Sequence, residues 1–331
     1  MGAYLFCNTD DVIGKSSSGG GFSAVVDTVR EQEKTVLFGA AFDADMNVIH
    51  RKFPADGDYS PLRGSKYCFS TYAEALSEAA EALRGGEQVI FTGTPCQIFA
   101  LKARLEKESI PSDRLMTIDL ICHGAPDQKL WAAYRHWLEQ RHHSKLTDFR
   151  FRFKGAKWHG YSMMAEFESG ERIVNSHDLQ VYMDLYFTHQ VMRESCYHCP
   201  FASPRRQGDI TLGDFWGAES VFPDIVSHAM KRQGISLILA NTEKGTRVLS
   251  RMEALSRERG WLMKKCETDA YMNFQSGLNA PVELPGGNDA FRAYLRAQGF
   301  NKAVRKYAGF NLKGALRYKV KYLANALGLI R

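Results

Sequence analysis

The hydrophobic pattern of this chain switches between short apolar runs and longer stretches with an apolar residue every third or fourth position. A short run bounded by turn residues reads as a buried strand, and the longer period reads as an amphipathic helix. "TVLFGAAFDADMNVIHRKF" (35–53) reads as strand, polar turn, strand. "STYAEALSEAAEALRGG" (70–86) is a helix with a Ser/Thr start, an alanine-rich middle and a glycine stop. "EQVIFTGTPCQIFALKARLEK" (87–107) runs strand, tight turn, helix, and "LMTIDLICHGAPDQKLWAAYRHWLEQRHH" (115–143) repeats that plan. Further on, "TDFRFRFK" (147–154) and "YSMMAEFESGERIVNS" (161–176) alternate in the manner of antiparallel strands, and "DLQVYMDLYFTHQVM" (178–192) is helical. "GDITLGDFWG" (208–217) and "GISLILANTEKG" (234–245) give two more strands.

This order predicts an α/β (α+β) fold: a mixed, partly parallel sheet flanked by helices, with additional antiparallel strands. The opening "DVIGKSSSGGGFSAVVDTVREQ" (11–32) reads as a Ser/Gly loop entering a helix from about Gly20 to Gln32.

Composition narrows the class. With 331 residues, 44% hydrophobic and 24% charged, the chain has the balance of a soluble globular protein. No apolar run is long enough to span a bilayer, and the N-terminus lacks a basic segment followed by an apolar one, so neither a spanning helix nor a secretion signal is expected; the odd, scattered cysteines fit a reducing, cytoplasmic setting. The net charge of +6 is uneven: residues 290–331 hold ten Lys or Arg and no Asp or Glu, which leaves −4 for residues 1–289. The end of the chain is therefore expected to be a basic helical tail. Its last part, 309–331, has apolar residues at helical spacing and could lie on an anionic membrane at the inner face, or pack on its own domain. No nucleic-acid partner is expected.

Seven cysteines, odd in number and widely scattered, do not form a disulfide framework. Cys7, Cys68 and Cys266 sit in no chemical context and read as structural. Cys196 and Cys199 form a Cys-x-x-Cys, which is half of a common metal site. Cys96 falls at the first turn of a helix, where free N–H groups and the dipole favour a thiolate. Cys122 follows the next strand, at the sheet edge where α/β proteins bind ligands. If the two strands are neighbours, Cys96, Cys122, Cys196 and Cys199 can supply four thiolates from three loops, suiting zinc or an iron–sulfur cluster. "KSSSGGGF" (15–22) can bring its backbone close to a phosphate, "RGSKY" (63–67) sets two cations beside a turn, and "GDITLGDFWG" suits a loop lining a flat ring or a cluster.

The motifs "KSSSGGGFSAV", "LFGAAFD", "LRGSKY", "FTGTPCQIFALK", "DLICHGAPD", "SCYHCPFA" and "GDITLGDFWG" occur in the order found in the coenzyme F420 hydrogenase/dehydrogenase beta-subunit family. The resemblance runs from Ser16 to Gly245. The chain is especially similar to a bacterial branch associated with polysaccharide gene clusters. The resemblance implies FAD and a [4Fe-4S] cluster, with Cys96, Cys122, Cys196 and Cys199 as cluster ligands. It implies that Ser17, Ser18, Gly19 and Gly20, the turn Arg63, Gly64, Ser65 and Lys66, and the strand end Thr92 and Thr94 shape the flavin pocket. His123 and Asp214 are candidates to steer protons nearby. On this reading residues 1–289 form the flavin and iron–sulfur unit, in parts of about 1–85 and 86–289, and 290–331 form the tail.

Many relatives begin with a ferredoxin-like segment holding two CxxCxxC runs, which this sequence lacks. Electrons would then come from a separate ferredoxin-like protein, a partner subunit or a soluble donor, and reach a small-molecule redox substrate such as a deazaflavin. The rival expectation keeps the cysteines and changes the metal: a zinc-stabilised binding or transferase scaffold without redox chemistry. A third treats Cys96 as a nucleophile at a helix start.

Overall fold

In the computed structural model, which describes residues 2–154 and 162–326, the strand–helix repeats build one large sheet. Its strands are β1 (Gly2–Cys7), β2 (Thr35–Phe42), β3 (Val48–Phe53), β4 (Gln88–Gly93), β5 (Leu115–Leu120), β9 (Ile210–Asp214), β10 (Ser236–Ala240) and β11 (Leu262–Lys265). They lie in the order β11-β1-β10-β9-β5-β4-β2-β3. The central strands β2, β4, β5 and β9 are parallel, and the pairs outside them are antiparallel. Central strands in such sheets are covered on both faces. Here Leu37, Phe38, Ile90, Phe91 and Ile118 are fully buried.

The mixed, partly parallel sheet is therefore as expected. Two strands were not anticipated. The opening "GAYLFC" forms β1, and "LMKK" forms β11, paired to each other and reached only through contacts distant in sequence. The parts 1–85 and 86–289 interleave in space: β1 lies between β11 and β10, and β2 pairs with β4.

A second, antiparallel sheet joins β6 (Leu146–Arg150), β7 (Met164–Phe167) and β8 (Arg172–Val174). The sequence expectation for 161–176 begins at Tyr161, outside the described residues. This small sheet and the helices Gln128–His142 and His177–Phe187 enclose an aromatic core around Trp131, Tyr134 and Tyr182. The basic tail joins that core. In the helix Asn288–Tyr307, Phe291 and Val304 are buried against it, and the following helix Leu312–Ala326 stacks Tyr318 on His177. Residues 327–331 lie outside the described part. Among the described residues no helix is long and apolar enough to cross a membrane.

Candidate functional site

Three segments meet at the C-terminal edge of the parallel strands. β4 ends at Gly93, and Thr94 and Pro95 open the helix Pro95–Lys107 with Cys96 in its first turn. Gln97 reaches back so that its Oε1 accepts from the Thr94 N–H at 2.9 Å, satisfying an otherwise free donor. β5 runs parallel to β4, with Gly93 beside Asp119, so the neighbouring-strand condition is met, and Cys122 follows two residues after β5 ends. The third segment carries Cys196 and Cys199 on and just past the short helix Glu194–Tyr197.

Three sets of contacts draw these segments together. Arg206, seven residues after Cys199, donates to Asp119 Oδ1 at 3.2 Å and Leu120 O at 2.9 Å, just before Cys122. Its Nη1 donates to Phe201 O and Ser203 O, both at 3.2 Å, so one guanidinium shapes the cysteine loop and fastens it to β5. On the Cys96 helix, the Phe99 ring packs 5.2 Å from Phe201, and Lys102 Nζ donates to Gln207 O at 2.6 Å. Beyond Cys122, Ala125 O accepts from the Arg193 N–H at 3.1 Å, and Pro126 bridges Met192.

The four cysteines lie within electrostatic reach of one another. Burial raises the Cys96 thiol above its ordinary value; the Thr94 hydroxyl opposes this, and Cys199 and Cys196 add to it. Burial pushes Cys122 up to about 12; the Gly124 N–H opposes the rise, and Cys96, Cys196 and Cys199 reinforce it. Thiols so placed stay protonated unless a metal centre takes their protons. Among the described residues, no group of three or more His, Cys, Asp or Glu is spaced to hold a single metal ion. Cys7, Cys68 and Cys266 are buried in apolar clusters, and Cys68 shares its cluster with Cys196 and lines the same cleft as Cys122.

Beside the cysteines opens a cleft of ≈ 730 Å³. That lies in the range of about 300–1,000 Å³ usual for cofactor and small-molecule sites. Ser17, Ser18, Gly20, Arg63, Gly64, Ser65, Lys66, Thr92 and Thr94 all line it, and so does Cys122. The Ser/Gly loop and the cationic turn touch: the Ser65 N–H donates to Ser17 Oγ at 2.6 Å. Lys154 Nζ braces the loop by donating to Ser18 O at 2.6 Å. Gly19 is the exception among the expected residues. It does not line the cleft; its backbone lies against the sheet, where a Cβ would come 2.4 Å from Phe6 O and 2.6 Å from Ser236 N. Its lack of a side chain permits that approach.

The cleft is suited to an anion at the Arg63 turn. Arg63 Nε is buried without a partner, and its guanidinium sits 5.1 Å over the Tyr59 ring. Lys66, half-buried by surface area yet deep in the cleft, donates to Pro61 O and Arg63 O, and desolvation lowers its ammonium pKa to about 7. A buried donor left open beside a second cation is what a diphosphate would satisfy.

Several lining groups were not anticipated. His50 is stacked on Phe91 and held in one tautomer: its Nε2–H donates to Thr92 O at 2.9 Å, so Nδ1 accepts from the Ser70 hydroxyl at 2.8 Å. Gln97 Nε2 in turn donates to Ser70 Oγ at 2.9 Å. Burial drops the His50 pKa to about 4, so the ring is neutral. The sequence signal was a histidine at an inward position of β3. His123 and Asp214, the candidates to steer protons, both line the cleft; Asp214 is paired to Arg152 at 2.8 Å.

Residues 86–258 match the family model for the C terminus of the coenzyme F420 hydrogenase/dehydrogenase beta subunit. The chain belongs to this family. The matched part of the chain contains all four cysteines and the Thr92–Thr94 strand end. The Ser/Gly loop, the Arg63–Lys66 turn and the segment after residue 258 lie outside it. The family is one of redox-enzyme subunits, so the chain is of an oxidoreductase kind. No curated protein matches the chain. Among solved structures, a chain of the F420-reducing [NiFe] hydrogenase complex from Methanosarcina barkeri overlays with a TM-score of 0.49 at 17% identity, covering 86% of this chain and 96% of that one.

Proposed function

We propose that this chain is an iron–sulfur flavoprotein oxidoreductase. Cys96, Cys122, Cys196 and Cys199 would hold a [4Fe-4S] cluster, and the cleft would hold FAD. Bound there, the pair would convert a two-electron exchange with a small-molecule substrate, deazaflavin-like or other, into single-electron steps. The observation that carries this reading is the position of Cys122, which belongs both to the four-cysteine group and to the lining of the cleft. One turn after β5 would thus put the two redox centres side by side.

The chain's own residues have defined parts in it. Arg63 and Lys66 supply the charge for a diphosphate, and the neutral His50 network keeps Thr92 and the start of the Cys96 helix in place. The zinc alternative keeps the same four thiols and differs in what they would hold. Four thiolates on one zinc lie roughly 3.8 Å apart, given Zn–S bonds of about 2.3 Å. A [4Fe-4S] cluster seats each thiolate on a separate iron, at the corners of a larger tetrahedron.

An electron-donor protein or partner subunit, a cytoplasmic setting and a link to polysaccharide synthesis complete the proposal. Peripheral membrane contact through residues 309–331 is supported by Leu316 and Val320, which stay exposed on a helix whose charges are all basic. The deciding experiment is metal, sulfide and flavin analysis of the full chain purified without oxygen. Brown protein with iron, sulfide and FAD is expected; colourless protein with stoichiometric zinc would replace this reading with the scaffold.

A further inference from the structure

Gln275 is 1% exposed and lines the cleft from a segment beyond the family match. Its amide nitrogen donates to two backbone carbonyls, Asp214 O at 3.2 Å and Trp216 O at 3.5 Å. Those contacts settle which end of the amide is nitrogen. The other end, Oε1, is shut off from water and has no hydrogen-bond partner. A buried acceptor without a donor is rare in a folded protein and calls for a reason.

Its surroundings indicate what the donor should look like. The next two residues close on the cysteine turn: Ser276 Oγ lies 3.4 Å from His123 Nδ1, and a Cβ at Gly277 would come 2.9 Å from Cys122 O. Trp216, 46% exposed, borders the same cleft. A wall of one broad aromatic ring and close-packed glycine backbone fits a flat heterocycle presented edge-on to the amide. The ligand group sought is therefore a ring N–H beside Cys122.

We propose that Gln275 is a ligand-positioning residue whose Oε1 accepts a hydrogen bond from the imide N–H of a pyrimidinedione ring. This rests on the flavin reading of the cleft given above. That ring edge is common to flavins and deazaflavins, so the donor is either the cofactor or the substrate. In both cases the hydrogen bond fixes the ring's orientation next to Cys122.

The test compares ligands with and without that N–H on the full chain. In one arm, FAD and N3-methyl-FAD are titrated into flavin-free protein. In the other, 5-deazariboflavin and its N3-methyl form are titrated into FAD-loaded protein. In one arm the wild type should bind the methylated ligand roughly tenfold more weakly, the cost of leaving a buried acceptor unpaired. The Gln275→Met variant should lose that discrimination while keeping its iron; loss of the two hydrogen bonds to Asp214 O and Trp216 O should lower its thermal transition without abolishing cooperative unfolding. Loss in the first arm assigns the N–H to the cofactor; loss in the second assigns it to the substrate. Equal binding of methylated and unmethylated ligands by the wild type in both arms overturns the inference, whatever the variant does. So does discrimination that persists unchanged in Gln275→Met. A wild type that binds no FAD at all overturns the proposed function and this inference with it.

Discussion

Arg206 and Asp119, 87 residues apart in sequence, form an ion pair in which both side chains are almost wholly buried. Asp119 Oδ2 also accepts from the N–H groups of Gln207 and Gly208, each at 3.0 Å, and Oδ1 from the Thr211 hydroxyl. The carboxylate is thus fully engaged, and the guanidinium holds Phe201 O and Ser203 O. This pair joins the strand before Cys122 to the loop after Cys199.

Removing one partner leaves the other charge buried and unpaired, which typically costs about 3–5 kcal/mol. Arg206→Met should lower stability by that order in urea unfolding. It should also reduce iron bound per chain under anaerobic reconstitution, because the Cys199 loop loses its frame. Full iron content with unchanged stability would remove the pair from the account.

The Phe99–Phe201 contact is a milder fastener, since Phe99 is 50% exposed. Phe99→Ala should cost about 1 kcal/mol, in line with other aromatic pairs. Iron loss in air should nevertheless be faster than in the wild type, followed by the decay of visible absorbance.

His50 gives stability a pH dependence with a definite sign. The unfolded imidazole protonates near 6.5, and the folded one near 4 because burial disfavours its charge. Between these values the unfolded chain binds more protons, so the stabilising contribution is complete above 6.5 and is lost as pH falls toward 4. The shift corresponds to about 3 kcal/mol at most. Unfolding free energies at pH 7.5 and 4.5 should differ more in wild type than in His50→Gln. Equal differences would show that the ring does not titrate in this way.

Lys66 should make anion binding pH-dependent. Desolvation holds its ammonium near 7, so the Arg63–Lys66 turn loses a positive charge as pH rises through that value. Affinity for FAD should fall roughly tenfold between pH 6.5 and 8.5, and Lys66→Met should bind weakly with little pH dependence. Isothermal titration at the two pH values reads this directly.

Much of the site is local in sequence, and that part was legible. Cys96 and Cys122 each follow a strand and precede a helix, so their placement at one sheet edge follows from parallel pairing of β4 and β5. Ser17 and Arg63 carry turn chemistry that needs no long-range knowledge. What could not be read depends on distant partners. β1 and β11 become strands because each pairs with the other and β1 with β10. Arg206 looks like one of two basic loop residues until Asp119 is beside it. Gly19 shows the converse: a glycine-rich loop suggests a ligand, yet this glycine is required by the backbone of β1 and β10.

The convergence of four sulfurs is tested most directly by iron content across single Cys→Ser variants of all seven cysteines, purified without oxygen. The account predicts about four irons per chain in the wild type and in the Cys7, Cys68 and Cys266 variants, and a marked loss in Cys96, Cys122, Cys196 and Cys199 variants. Undiminished iron in the Cys96 or Cys122 variant, or a loss confined to Cys196 and Cys199, would contradict it.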